Sequence, residues 1–79
     1  MKINALTLKG IAFKGEAESL NVKTLSGEIT VLDHHRPLIS VLTKGEITIT
    51  TPDRKKTSIH ARSGFLEIGN TNEVTLLID

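Results

Sequence analysis

The sequence predicts an all-β chain, a sandwich of about ten short strands. Three observations predict it. Turn signals recur at roughly the 8–12-residue spacing of sandwiches and barrels. Between them, apolar and polar residues alternate with the period of two that a strand with one buried face requires. Threonine, valine and isoleucine are common in these segments, and such side chains suit a pleated surface. No window of helical length carries a convincing apolar stripe.

Each element follows in order. Lys2 to Leu8 is a strand, broken by Lys9-Gly10. Phe13-Lys14-Gly15 leads into a strand from Glu16 to Lys23, with Leu20 and Val22 on one face. Leu25-Ser26-Gly27 is a loop. Glu28 to Leu32 alternates, with Ile29 and Val31 inward. Leu38 to Leu42 is apolar at both phases of the alternation, as a strand covered on two sides would be. Gly45 turns the chain. Glu46 to Thr50 is the cleanest period-two run. Pro52 to Lys56 is a polar hairpin tip. Ser58 to Arg62 alternates again, with Ile59 and Ala61 on one face. Phe65 to Ile68 follows Gly64, Gly69 to Asn72 turns, and Val74 to Ile78 is the last strand. Residues 1–79 are expected to form one domain.

A chain of 79 residues buries only about 60–65% of the surface its unfolded form exposes. Domains of this size usually add disulfides, a metal or a partner. There are 0 cysteines, so disulfides are excluded, and the absence fits a reducing, cytoplasmic compartment. With 3 histidines and no cysteine, a structural zinc site is not expected. Elimination leaves a protein partner as the source of extra stability. The 10 basic and 9 acidic residues give a net charge of +1, so no field of one sign points to nucleic acid or anionic lipid. Met1 to Ala5 lacks the apolar run of a signal peptide. Nothing approaches the ~20 apolar residues of a membrane helix.

Catalysis needs convergent groups, and few are available. Asp33-His34-His35-Arg36 is the densest polar cluster. Neighbours on an extended chain point to opposite faces, so His34 and His35 do not readily share an ion, and His60 is distant in sequence. Ser26, Ser40, Ser58 and Ser63 have no nucleophile motif around them. The glycines match neither phosphate-binding pattern and read as turns or bulges. Arg54-Lys55-Lys56 could touch phosphate. Single-strand binding by a β module normally stacks bases on aromatics, however, and Phe13 and Phe65 are the only ones here. No catalytic, cofactor-binding or metal residue is assigned. A protein-binding module remains. The alternative is a nucleic-acid-binding β-barrel of oligonucleotide-binding type, with a small β-scaffold enzyme behind it.

Six stretches, in order and nearly end to end, resemble the epsilon subunit of F-type ATP synthases. Phe13-x-Gly15-x-Ala17-x-Ser19 is similar to that family's opening motif, and Gly27-Glu28-Ile29-x-Val31-Leu32 to its G-E-[FL]-G-[IV]-[LY] stretch. His35-Arg36-Pro37-Leu38-Ile39 resembles H-A-P-L-L, and Leu42-x-x-Gly45-x-Ile47-x-Ile49 resembles L-x-x-G-x-[IV]-x-[IV]. Ser63 to Ile68 and Val74 to Asp79 resemble G-G-[FI]-L-E-V and V-T-[VI]-L-A-D. The departures are Asp33-His34 where Pro-Gly is usual, Thr30 in place of glycine, and Thr24 near a usual Pro-Gly or Thr-Gly. With glycine's positive-φ option gone, the loop before His35 is expected to bend less sharply.

The resemblance implies a non-enzymatic rotor subunit, a sandwich at the foot of the central stalk that binds the gamma subunit and the c-ring. It couples proton or sodium flow to ATP synthesis, on the cytoplasmic face of the inner membrane, with no nucleic acid and membrane association only through the complex. Matched by position, Glu28 faces the c-ring loops, and His35 belongs to the same lower loop, near gamma and the ring. Pro37, Leu38 and Ser40 lie near gamma. The family's helical hairpin has no counterpart in residues 1–79, so neither its inhibitory nor its ATP-binding role is expected. Leu8 and Leu77, apolar on otherwise polar faces, are the candidates for surface that a missing hairpin leaves bare.

Overall fold

The computed structural model describes residues 1–79. It has nine strands and no helix: β1 (Lys2–Thr7), β2 (Gly10–Glu16), β3 (Ser19–Thr24), β4 (Gly27–Leu32), β5 (Leu38–Leu42), β6 (Gly45–Thr50), β7 (Lys56–Ala61), β8 (Gly64–Ile68) and β9 (Glu73–Ile78). That is one strand fewer than the expected ten. One layer runs β2-β1-β9-β8-β5, with β1 and β9 parallel, and the other runs β4-β3-β6-β7. They join along one edge of β3. Ser19 to Asn21 pair with Thr48 to Thr50 of β6, while Thr24 pairs with Leu42 of β5. The result is a sandwich nearly closed into a barrel.

The core holds inward positions read from the alternation, Leu20, Val22, Val31 and Ala61, together with residues whose facing only the structure shows. Leu20, Val22, Val31, Ile49, Leu66 and Leu76 have no exposed side-chain surface. Each such aliphatic side chain contributes about 1.5–3 kcal/mol by leaving water. Ile29, Ile59 and Phe13 lie half-buried against them.

Two expectations about the strands are corrected. The segment from Phe13 to Lys23 is not one strand with a lead-in. Gly10–Glu16 pairs with β1, and the chain then turns at Ala17-Glu18 to enter the other layer. Backbone bonds from Ala17 N to Met1 O (2.9 Å) and from Glu18 N to Thr50 O (2.7 Å) hold this corner. Glu16 and Glu18 supply no break signal, which is why the strands merge on paper. Leu38–Leu42, second, is not covered on both sides. Leu38 and Leu42 turn inward, whereas Ile39 and Val41 are 73% and 38% exposed.

Thr-Leu-x-Gly occurs twice, at Thr7–Gly10 and Thr24–Gly27, and makes the same hairpin each time. The threonine hydroxyl donates to the glycine carbonyl oxygen, at 3.2 Å for Thr7 and 2.8 Å for Thr24. It also accepts from the backbone N–H two residues on, at 3.1 Å in both. Gly10 and Gly27 take φ of 128° and 113°, the left-handed geometry that closes such a turn without a Cβ penalty. The hydroxyl bonds let Thr24, 5% exposed, lie in the core with its polar group satisfied.

Candidate functional site

The pairing registers decide which loops share an end. Thr7, Ile78, Gly64, Leu42 and Thr24 are successive partners across the sheet, so the Leu8-Lys9 and Leu25-Ser26 tips lie at one end. The Asp33–Pro37 loop, the Thr51–Lys55 tip, the Gly69–Asn72 turn and Met1 lie at the other.

This separates the sequence-predicted residues. Glu28 is exposed and is the second residue of β4, beside the Leu25-Ser26 tip, paired with Lys23. His35 and Pro37 are exposed in the loop after β4. Glu28 and His35 therefore do not share a loop. The strand from Glu28 to Leu32 separates them by about 13 Å at ~3.3 Å per residue. Leu38 packs half-buried on the core, and Ser40 shares its core-ward side of β5, half-buried and paired with Leu66.

The loop before His35 is sharply bent in spite of having no glycine. His34 has φ of 62°, and its N–H donates to Asn72 Oδ1 at 2.7 Å. Asn72 Nδ2 donates to Asp33 Oδ1 at 3.3 Å, and the Met1 ammonium donates to the same oxygen at 2.5 Å. His35 Nδ1–H donates to its neighbour's carbonyl oxygen, that of Arg36, at 2.8 Å. The expectation of a gentler bend is thus overturned, because hydrogen bonds hold the left-handed residue that glycine would otherwise supply. A non-glycine residue there costs about 1 kcal/mol.

Asp33 is held below the usual carboxylate range, first by the hydrogen bond from the Met1 ammonium and then by the Asn72 amide. The ammonium is raised above the usual α-amino value, first by its hydrogen bond to Asp33, with burial opposing. The Met1 side chain is buried while the ammonium sits at the rim between exposed Asp33 and Glu16. A depressed carboxylate contributes stability that is present above about pH 4 and is lost as pH falls through its folded value. A raised amine contributes stability below about pH 8 and loses it as pH rises through its folded value. Asp33→Asn is expected to melt lower than the parent at about pH 6, with the gap closing toward about pH 3. Melting curves across that range check it. A gap of constant size would assign the loss to something other than Asp33 ionisation.

A second surface, larger than expected, lies on the outside of the β2-β1-β9-β8-β5 layer. Ile11, Leu6, Leu77, Phe65 and Val41 are partners in register across five adjacent strands, all on the outward face. Leu25 extends the row, its N–H donating to Val41 O at 3.1 Å. Leu8, 97% exposed, stands beside it, and a shallow groove runs between Leu8, Leu6, Val41, Phe65 and Leu77. The expected pair, Leu8 and Leu77, are both on this belt. Leu6, Val41, Phe65, Ile11 and Leu25 were missed, since nothing in the sequence says these residues become neighbours. The outer face of the second layer is polar apart from exposed Leu32: Thr30, Asn21, Thr48 and Ser58 are partners in register there. A monomer rarely exposes a contiguous apolar patch of several strands' width unless something docks on it.

The basic tip is partly neutralised locally. Arg54 lies 3.5 Å from Glu18, and Lys55 lies 4.0 Å from Asp53. No three His, Asp or Glu side chains are grouped where they could hold one ion.

A family model for the β-sandwich domain of the ATP synthase delta/epsilon chain matches residues 1–79. Among curated relatives, the ATP synthase epsilon chain of Nitratiruptor sp. is 34% identical over 79 residues, covering 100% of this chain and 60% of that protein. That of Endomicrobium trichonymphae is 42% identical over 71 residues, covering 90% of this chain and 51% of that protein. This chain therefore spans little more than half the length of these two. The epsilon chain of Chlorobium limicola is 26% identical over 78 residues and is itself 89% covered. Among solved structures, a chain of the Euglena gracilis mitochondrial ATP synthase, in an assembly described as OSCP/F1/c-ring, superposes with a TM-score of 0.89 at 21% identity, covering 96% of this chain and 48% of that one. A chain of the Tetrahymena thermophila mitochondrial ATP synthase central stalk/c-ring gives 0.83 at 12% identity, covering 99% and 62%. These two likenesses show the fold.

Proposed function

The chain belongs to the delta/epsilon chain family of ATP synthases, through its β-sandwich domain, and on that premise we propose that it is a non-catalytic rotor subunit. It joins the gamma subunit to the c-ring at the foot of the central stalk, as a peripheral part of the complex on the cytoplasmic side of the membrane. The apolar belt is the observation that carries this reading. A sandwich that carries an apolar row across five strands of one outer face, while the other outer face is largely polar, is built to lie against another protein. Gamma seats on the belt and reaches the Asp33–Pro37 loop with His35 and Pro37. The hairpin end, with Glu28, meets the polar loops of the c-ring. Glu28 and His35 at opposite ends suit a body that grips two partners at once, and close packing between the layers makes that body stiff enough to transmit torque.

Glu28 is proposed to meet a basic or amide group on the c-ring. Glu28→Lys is expected to lower ion-driven ATP synthesis by about three- to ten-fold, the usual reach of one reversed interface charge. Synthesis measured in reconstituted vesicles checks this, and an unchanged rate removes Glu28 from the interface. The reading as a whole is tested by co-expression with gamma and size-exclusion chromatography. Stable co-elution at one to one is expected, and a folded chain that elutes alone sinks it.

A further inference from the structure

We propose that Asn72 is a positioning residue that sets the shape of the partner-facing Asp33–Pro37 loop from across the molecule. The inference rests on the reading of that loop as a gamma contact.

Three chain segments meet at Asn72. Its carbonyl oxygen accepts from Lys2 N at 3.1 Å, which ties it to the start of β1. Its side-chain oxygen accepts from His34 N at 2.7 Å, and its side-chain nitrogen donates to Asp33 Oδ1 at 3.3 Å. The carboxamide is thus bidentate on two consecutive residues nearly 40 positions earlier, at |i−j| of 38 and 39. Asn72 is itself left-handed, with φ of 60°, a conformation asparagine tolerates better than most residues. That geometry turns its side chain out of the β8–β9 turn toward the loop. The loop has no regular pairing of its own between Leu32 and Leu38. The other ties are His35 N donating to Leu32 O at 3.2 Å, a local turn, and the Met1 ammonium donating to Asp33 Oδ1 at 2.5 Å, which anchors the Asp33 side chain; neither fixes the backbone at His34 against the rest of the sandwich. The Asn72 carboxamide does. It holds His34 left-handed, and the direction of the chain through His34 decides where His35 and Pro37 are presented. Asn72 reaches no predicted contact residue itself, so it acts through the loop.

The variant that isolates the clamp is Asn72→Gly, because glycine keeps the left-handed backbone of the β8–β9 turn and removes only the carboxamide. Adding His34→Gly returns a residue that adopts positive φ without help. Two readouts are taken. In the free chain, hydrogen exchange at the His34 and His35 amides is expected to quicken about ten-fold in Asn72→Gly, while the amides of β3 and β8 keep their parental protection. With gamma, affinity of the folded variant is expected to fall about three- to ten-fold, and the double variant is expected to recover part of that loss. Unchanged exchange at His34 overturns the clamp. Quicker exchange with undiminished gamma binding overturns the positioning role. A parent chain that binds no gamma sinks the functional reading instead, and the exchange result then still decides whether the clamp exists.

Discussion

Gly64→Ala is expected to bring the chain to the edge of unfolding. Gly64 opens β8 and pairs with Leu42 on one side and Ile78 on the other. A Cβ at Gly64 would run into the backbone carbonyl oxygen of Leu77, with the carbonyl carbon at 3.2 Å and Ile78 Cα at 3.3 Å. None of these atoms can rotate away, because Leu77 and Ile78 belong to the β9 ladder, which joins β8 to β1. The residue also has φ of 156°. Relief requires pulling β8 from β9, and with it the contacts of Leu66 and Leu76 in the core. A cost of about 3 kcal/mol or more follows from forced backbone shifts in a packed sheet. A domain of 79 residues has only about 4–12 kcal/mol in total. Gly45→Ala is the control. Its φ of 158° is nearly the same, so the two differ only in what the added Cβ meets: at Gly45 this is Lys23 Cδ at 2.6 Å, part of a flexible side chain that can swing into solvent. Urea unfolding of the two variants checks the contrast. Midpoints equally close to the parent's would mean that β8 and β9 are not locked as described.

The double substitution Phe65→Thr and Leu77→Thr is expected to weaken the proposed association with gamma severely and leave the fold intact. The two side chains are cross-strand partners at the middle of the apolar belt, 56% and 50% exposed. Threonine is β-branched and suits a strand, so the cost to folding should stay within about 1 kcal/mol. At an interface the same loss removes two central anchors, and such anchors carry most of the binding energy. Affinity should fall about a hundred-fold or more, from roughly 3 kcal/mol lost. Titration calorimetry with gamma gives the affinity, and the melting temperature of the free variant shows that the fold survives. Parental affinity would move the gamma contact away from the belt. The polar outer face, with Asn21, Thr30 and Thr48, serves as the comparison. Asn21→Ala there, which removes a hydrogen bond of 3.1 Å to Thr30, should leave gamma binding unchanged.

Most of the fold was legible because alternation is a local property. Within one strand, side chains two apart share a face, and a buried face must be apolar. Leu20 with Val22, Ile29 with Val31 and Ile59 with Ala61 read as inward for that reason; Leu20, Val22, Val31 and Ala61 are buried, and Ile29 and Ile59 are half-buried against them. The boundary between β2 and β3 was not legible, since its corner is held by Met1 and Thr50, residues remote in sequence. Leu38–Leu42 was misread for a related reason. Apolar residues at both phases of the alternation suggest burial on both faces, whereas Ile39 and Val41 face outward, Val41 in the exposed apolar belt and Ile39 next to it.

The amino-acid sequence by itself determined most of the strands, the inward faces of those that alternate and, through six motifs in register, the family. Tertiary structure alone decided which strands became neighbours. That choice aligned Ile11, Leu6, Leu77, Phe65 and Val41 into one belt, set Glu28 and His35 at opposite ends, and brought Asn72 onto Asp33 and His34. The physical reason is range. Periodicity reports on residues two apart, whereas a surface is assembled by pairing registers between segments tens of residues apart, and no local pattern encodes those.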